Sequence, residues 1–268
     1  MRDRAAASTG LSQPSALLRR ADPDRFLTAL FAPPARREPL MLLYAFNHEL
    51  ARARDVAREP ALALIRLQWW REVVEGARRR HEIAGPLGDA IAAGTLAAGD
   101  LTAMVDGREI EADANIPSIG MFLSYLAGTA GAVARAAGRL LGAGRELDRL
   151  ALLGTAYGVA GQIRSVAALA AQGRCLLPHD VLARHGLTAE AVIAEPADAR
   201  LRPVLAELAE HGRTLLRGSG GRLPRPVLAA ALPAVLARRD FTRLTRPPQP
   251  RGAADKLAIL AAFLAARV

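Results

Sequence analysis

An all-α single domain is the fold class this sequence predicts, and three observations carry that prediction. β-branched residues rarely cluster, and no polar–apolar alternation runs beyond a few positions. Helix start and stop signals recur along the whole chain, with short connections between them. At 268 residues and 51% apolar content, the chain can bury a sizeable core as one large domain.

The elements follow in order. Residues 1–21 begin "MRDRAAASTGLSQPSALLRR", rich in Arg, Ala and Ser like an organelle transit peptide. Asp3 and the helix breaker Pro14 oppose that reading, and no apolar secretory core is present. Residues 1–21 therefore read as a disordered, bacterial-type extension, and 22–268 as the domain. Asp22-Pro23 is an N-cap followed by proline at the first helical position, opening "DRFLTALF". The "PPARREP" turn opens a helix from about Arg36 to Arg58, and Pro60 starts another reaching "ARRR" at 77–80. Shorter helices are expected at 86–93 and 98–113. Ser118 caps a helix that runs to the "GAG" break at 142–144, and a long helix occupies 145–172 before Gly173. Pro178 and Thr188 open two short helices. Longer ones follow at 198–217 and 225–240, then a linker at 245–252 and a last helix at 253–267.

Helix 145–172 is apolar enough to be central, but Gln162, Arg164 and its glycines make it a poor membrane span. Gly128, Gly131 and Gly138 lie at close spacing in one helix, and Gly154, Gly158 and Gly161 in another. Glycine inside a helix costs about 1 kcal/mol against alanine, so the pattern predicts close helix packing, with a ligand wall as the alternative. Trp69 and Trp70 are adjacent, so only one can point straight into the core.

The net charge of +10 is carried almost wholly by scattered arginines, consistent with a GC-rich coding bias or with an anionic partner. Nucleic acid is a poor fit: aromatics are 4% and no basic, aromatic-studded strand is present. The single Cys175 excludes an internal disulfide and a cysteine-based zinc site, and the five histidines lack metal-ligand spacing.

Several segments together resemble the squalene/phytoene synthases. "DRFLTALFAPPARREPLMLLYAFNHELARARD" is similar to that family's opening, "YLAGTAGAVARAAGRLLG" to its "Y…AGTVG" helix, and "QIRSVAALAAQGRCLLPHDVLARHGL" to its segment ending "GRxYLP". The resemblance implies the isoprenoid synthase helical bundle with a central cavity. In that family two DxxxD motifs face each other across the cavity. Spacing of i, i+4 puts both carboxylates of a motif on one helix face, where they hold Mg²⁺ against two diphosphates.

This chain departs from the pattern at those positions. Aligned on "YAF", the first motif falls on Ala51 and Asp55; aligned on "GRxxLP", the second falls on Ser165 and Leu169. Only Asp55 keeps its carboxylate, so no metal site is expected, and Mg²⁺ only if catalysis survives by remodelling. Asp55 and Glu59 at i, i+4 read as a solvated face. So does the acidic set Asp106, Glu109 and Asp113 at i, i+3, i+7 with Glu111, the one local supply of replacement carboxylates. The runs "AFNHELARARD" and "LIRLQWWREVVE" resemble the divergent branch of the family that includes a mitochondrial complex I (NADH:ubiquinone oxidoreductase) assembly factor.

Arg164 precedes the lost second motif. An unpaired buried guanidinium is costly, so Arg164 is expected to pair with Asp55 or Glu49 across the cavity. Alternatively, Arg164 and Arg174 hold an anionic head group without metal. Three functions stay open on this reading. They are a catalytically degenerate scaffold for respiratory complex I subunits or assembly proteins, a prenyltransferase joining two prenyl diphosphates, and a metal-free isoprenoid or lipid binder. The expected location is the cytoplasm, with peripheral contact at the inner membrane face.

Overall fold

The computed structural model describes residues 11–55, 59–113, 115–244 and 249–268, and they form a helical bundle assembled around one long helix. The chain opens with α1 (Gln13–Ala21) and α2 (Pro23–Ala29), followed by α3 (Pro34–Asp55), α4 (Pro60–Val74), α5 (Ala84–Ala92) and α6 (Ala98–Asp106). Then come α7 (Ile119–Leu126), α8 (Ala132–Leu140) and α9 (Leu147–Ala170). The last six are α10 (His179–Arg184), α11 (Ala189–Ala194), α12 (Leu201–Ser219), α13 (Leu228–Ala231), α14 (Pro233–Asp240) and α15 (Ala253–Ala265). No strand occurs among the described residues, only an isolated bridge between Arg222 and Arg267.

Local chemistry sets many of these boundaries. Asp22 accepts the Arg25 N–H, Ser118 the Met121 N–H and Thr188 the Ala191 N–H, each satisfying a first-turn donor that the helix leaves open. Gly142 and Gly173 adopt positive φ of 86° and 70°, which ends α8 and α9 without the Cβ penalty of other residues.

The extension differs from expectation. Gln13–Ala21 is a helix packed on α3, with Ser12 as its N-cap and Pro14 inside its first turn, where proline is tolerated. Residues 1–10 lie outside the described residues. The predicted helix at 98–113 also stops early. It ends at Asp106, and a 3₁₀ turn at Glu109–Glu111 follows. The expected helix end at 56–58 and the linker residues 245–248 fall outside the described residues.

Helix α9 is the hub. It packs against α12, α8, α14 and the π-helical turn Ala127–Gly131 that joins α7 to α8. Leu153, Ala156, Val159 and Ala160 are buried, Tyr157 and Leu169 are partly covered, and Leu152 reaches solvent. Two helices approach this closely because their facing positions are small. A Cβ on Gly154 would lie 2.5 Å from the Ala130 carbonyl oxygen and 2.5 Å from the Ala134 methyl, and one on Gly158 2.8 Å from the Ala130 methyl. Gly161 is different: a Cβ there meets nothing within 4 Å. Of the two tryptophans, Trp70 is the buried one, edge-on to Phe46 at 5.4 Å between centroids.

The glycines thus predict opposite outcomes two turns apart on one side of α9. Gly154→Ala should destabilise the fold by about 1–3 kcal/mol through overpacking, whereas Gly161→Ala should stabilise it by about 0.5–1 kcal/mol through chain entropy and helix propensity. Denaturant melts of the two variants check both signs.

Candidate functional site

A cleft of about 400 Å³ opens beside the middle of α9, walled by the start of α2, by α7 with its π turn, and by Gly158, Gly161 and Ser165 of α9 itself. A second cleft, about 440 Å³, shares Arg164 with the first and is lined further by Ile163, Leu205 and Leu244. The cationic groups lining both clefts are arginines, each paired with a carboxylate.

Arg164 sits between them. Its Nη1 donates to Asp24 Oδ2 at 3.2 Å and lies 3.5 Å from Asp240 Oδ2. Arg251, in the segment before α15, joins the same two acids, at 2.7 Å to Asp24 and 2.5 Å to Asp240. Tyr157 Oη also donates to Asp24, at 3.2 Å. The side chains of Asp24, Arg251 and Asp240 are no more than 10% exposed. Burial by itself would raise the Asp24 carboxyl. The hydrogen bonds and charges of Arg251 and Arg164 outweigh that effect and hold it below the usual carboxylate range.

Two further arginines complete the interior. Arg25 donates to Asp22 at 2.8 Å and lies over the rings of Tyr157 and Tyr44, 5.0 and 5.7 Å from their centroids. Burial keeps both phenols neutral by pushing their pKa up. Arg108 pairs with buried Glu111 at 2.6 Å and with Asn47 Oδ1 at 2.9 Å. Tyr125 donates to Glu111 at 2.5 Å and accepts from Gln162 Nε2 at 3.2 Å, so this chain ties α3, α7 and α9 together. The guanidinium groups of Arg25, Arg108, Arg164 and Arg251 are matched by the carboxylates of Asp22, Asp24, Glu111 and Asp240. This interior is close to electroneutral.

The expected partner of Arg164 is therefore corrected. Asp55 pairs instead with Arg174, at 3.0 Å, and Glu49 accepts from Arg52 on its own helix at 3.2 Å. Arg174 is buried while Asp55 is 43% exposed, and Arg174 Nε has no hydrogen-bond partner among the described residues. Ser165 lines the cleft with its hydroxyl turned back to the Gly161 carbonyl at 2.8 Å, and Leu169 packs partly against the core. Ala51 sits on α3 outside the cleft lining. The acidic set divides too: Asp106 and Glu109 are exposed and engage Arg71, whereas Glu111 turns inward because the helix has ended before it.

Sequence reasoning missed Asp24, Asp240, Arg25, Arg108 and Arg251. A signal existed for one group only, the dense charge of "DPDR" at the mouth of an apolar helix.

Mg²⁺, which the family resemblance implies for catalysis, does not fit these residues. Of the four motif positions only Asp55 offers an anionic oxygen, and a guanidinium already occupies it. No group of three or more His, Cys, Asp or Glu with metal-site geometry occurs among the described residues.

Arg251→Leu should leave Asp24 and Asp240 buried with only Arg164 between them, and should cost about 3–5 kcal/mol at neutral pH. The folded-state pKa of Asp24 is depressed, so its contribution is present above its unfolded value of 3.8 and fades as pH falls through the folded value. The gap between wild type and variant should therefore narrow in acid. Denaturant midpoints measured from neutral pH downward test this, with Arg135→Ala, at an exposed pair, as the variant whose midpoint barely moves.

Comparison with known proteins agrees with this architecture. The sequence profile of squalene/phytoene synthases matches residues 18–257. Complex I assembly factor 6 (NADH dehydrogenase, ubiquinone) of Mus musculus is 28% identical over 82% of this chain and 68% of its own length. A presqualene diphosphate synthase of Rhodopseudomonas palustris is 28% identical over 85% of this chain and 88% of its own. In structure, a dehydrosqualene synthase crystallised with a ligand superposes with a TM-score of 0.75 over 94% of each chain at 17% identity, which establishes the all-α isoprenoid synthase fold. With its profile matched over most of its length, the chain belongs to the squalene/phytoene synthase family.

Proposed function

We propose that this chain is a catalytically degenerate member of its family that serves as an assembly or scaffolding factor for respiratory complex I. The observation that carries the reading is the Arg174–Asp55 ion pair, 3.0 Å long, at the one motif position that keeps its carboxylate. Diphosphate ionisation in an apolar cavity needs dense positive charge supplied by metal. Here the interior charge is made of arginines already neutralised by acids. The similarity to assembly factor 6 over 82% of the chain supports the partner class: complex I subunits or assembly proteins.

The cleft would then hold no cofactor, and any occupant would be a prenyl or lipid molecule held without metal. Complex I assembly takes place at a membrane. No helix among the described residues is long and apolar enough to cross one, so in this reading the chain works from the cytoplasm in peripheral contact with the inner membrane face.

A second reading, a working prenyltransferase, is favoured by the similarity to presqualene diphosphate synthase, which extends over 88% of that protein. It requires metal to displace guanidinium from Asp24, Glu111 or Asp55.

Purified protein incubated with farnesyl diphosphate and Mg²⁺ should release no diphosphate above a boiled control. Affinity capture from a membrane-solubilised lysate of the source cells should enrich complex I subunits. Turnover abolished by Asp55→Ala, with no enrichment of respiratory proteins, would establish the prenyltransferase instead.

A further inference from the structure

A helix on the surface of a bundle ordinarily shows solvent a polar face. Helix α15 does not. Its buried side is Asp255 and Ile259, with Ala258, Ala262 and Phe263 packed partly against the core, where the Phe263 ring meets Phe31 at 4.9 Å. Its outward side carries Leu257, Leu260 and Leu264, exposed to 63%, 41% and 64% and spaced i, i+3, i+7 along one stripe. Ala253, Ala254, Ala261 and Ala265 of the same helix are exposed as well. Leu30, next in sequence to Phe31, is also exposed, at 43%.

The polar chemistry of this face is all of one sign. Lys256 is its one exposed charged side chain, and exposed Arg267 follows the helix end. The helix's only acid, Asp255, is buried and taken up by Arg239 and Arg243, at 2.5 and 2.9 Å. Those two pairs, with Arg251 anchored on Asp24 and Asp240, fix the helix to the bundle so that the leucine stripe is held outward.

We propose that this face docks on the interfacial layer of a bilayer containing anionic lipid. A specific protein partner needs roughly one hydrogen bond per 100–200 Å² of interface, and this face has only Lys256 and Arg267 to supply them. A second copy would bring Lys256 and Arg267 against their own counterparts between two chains of net charge +10. A bilayer asks for neither directional bonds nor acids. It takes leucines into the acyl boundary and cations into the headgroups, and the two contributions add. The α15 helix has 13 residues, too few to span, so it lies in the plane of the interface. The inference stands whether or not the chain turns over a prenyl diphosphate.

The test is sedimentation of the full chain with phosphatidylcholine vesicles, with and without phosphatidylglycerol. Wild type should co-sediment with the anionic vesicles and release them as salt is raised. Leu257→Gln/Leu264→Gln should weaken that binding by about tenfold or more, and Lys256→Ala by about fivefold. Circular dichroism melts matching wild type would show that these exposed substitutions leave the fold intact. Wild type remaining in the supernatant with both vesicle types would overturn the proposal, as would undiminished binding by the double variant. Sedimentation velocity supplies a further arm. A dimer that the double variant converts to monomer would assign the face to a second copy and overturn the lipid proposal.

Discussion

Everything around the cleft depends on one constraint: a guanidinium removed from water must be met by a carboxylate. Arg164 projects from the central helix, so the acids that meet it have to come from other elements. Asp24 comes from the start of α2 and Asp240 from the end of α14, and Arg251 holds both of them from the segment before α15. Four parts of the chain, the outermost 227 residues apart in sequence, are thereby tied to one point. Small residues bring the helices together; the ion cluster sets where along α9 the outer helices sit.

The same constraint shapes what the cleft can do. Metal-bearing carboxylates place uncompensated negative charge at a cavity wall, and that charge recruits the cation. In this chain the carboxylates lining the cleft are Asp22 and Asp24, with Glu111 paired to the lining Arg108, and each already has an arginine within hydrogen-bonding distance. Glu111 also accepts from Tyr125, whose own pKa burial drives well above its usual value, so the phenol remains a donor. An interior satisfied in this way is preorganised for structure. On the proposed reading, it offers little field to a diphosphate and little ligation to a divalent ion.

Much of the fold was legible from local chemistry, because helix caps and glycine stops act over a few residues. Asp22, Ser118 and Thr188 cap where their types and positions indicate, and Gly173 ends α9. The glycine pairs foretold the contact between α9 and the α7–α8 segment, because the cost of glycine in a helix has to be offset by packing. The ion cluster was not legible. Arg164 announced a need for an acid, but the family pattern pointed to Asp55 and Glu49, while its partner Asp24 lies 140 residues away. Nothing in a linear pattern ranks one distant acid above another. Helix α1 was missed because its composition resembles that of a targeting segment; its stability comes from packing on α3 and from the Ser12 cap. Glu111 was hidden by assuming that α6 continued, which placed it on a solvated face instead of inside.

The claim at the centre of this account is that arginine–carboxylate pairs stand where a metal cluster would otherwise be assembled. Titration of the protein with Mn²⁺, followed by electron paramagnetic resonance in the presence of a non-hydrolysable farnesyl thiodiphosphate, tests it most directly. The account predicts a spectrum of free Mn²⁺ and of Mn²⁺ bound to the analogue alone, unchanged by the protein. Stoichiometric loss of the free signal on adding wild type, restored by Asp55→Ala or Asp24→Asn, would contradict it.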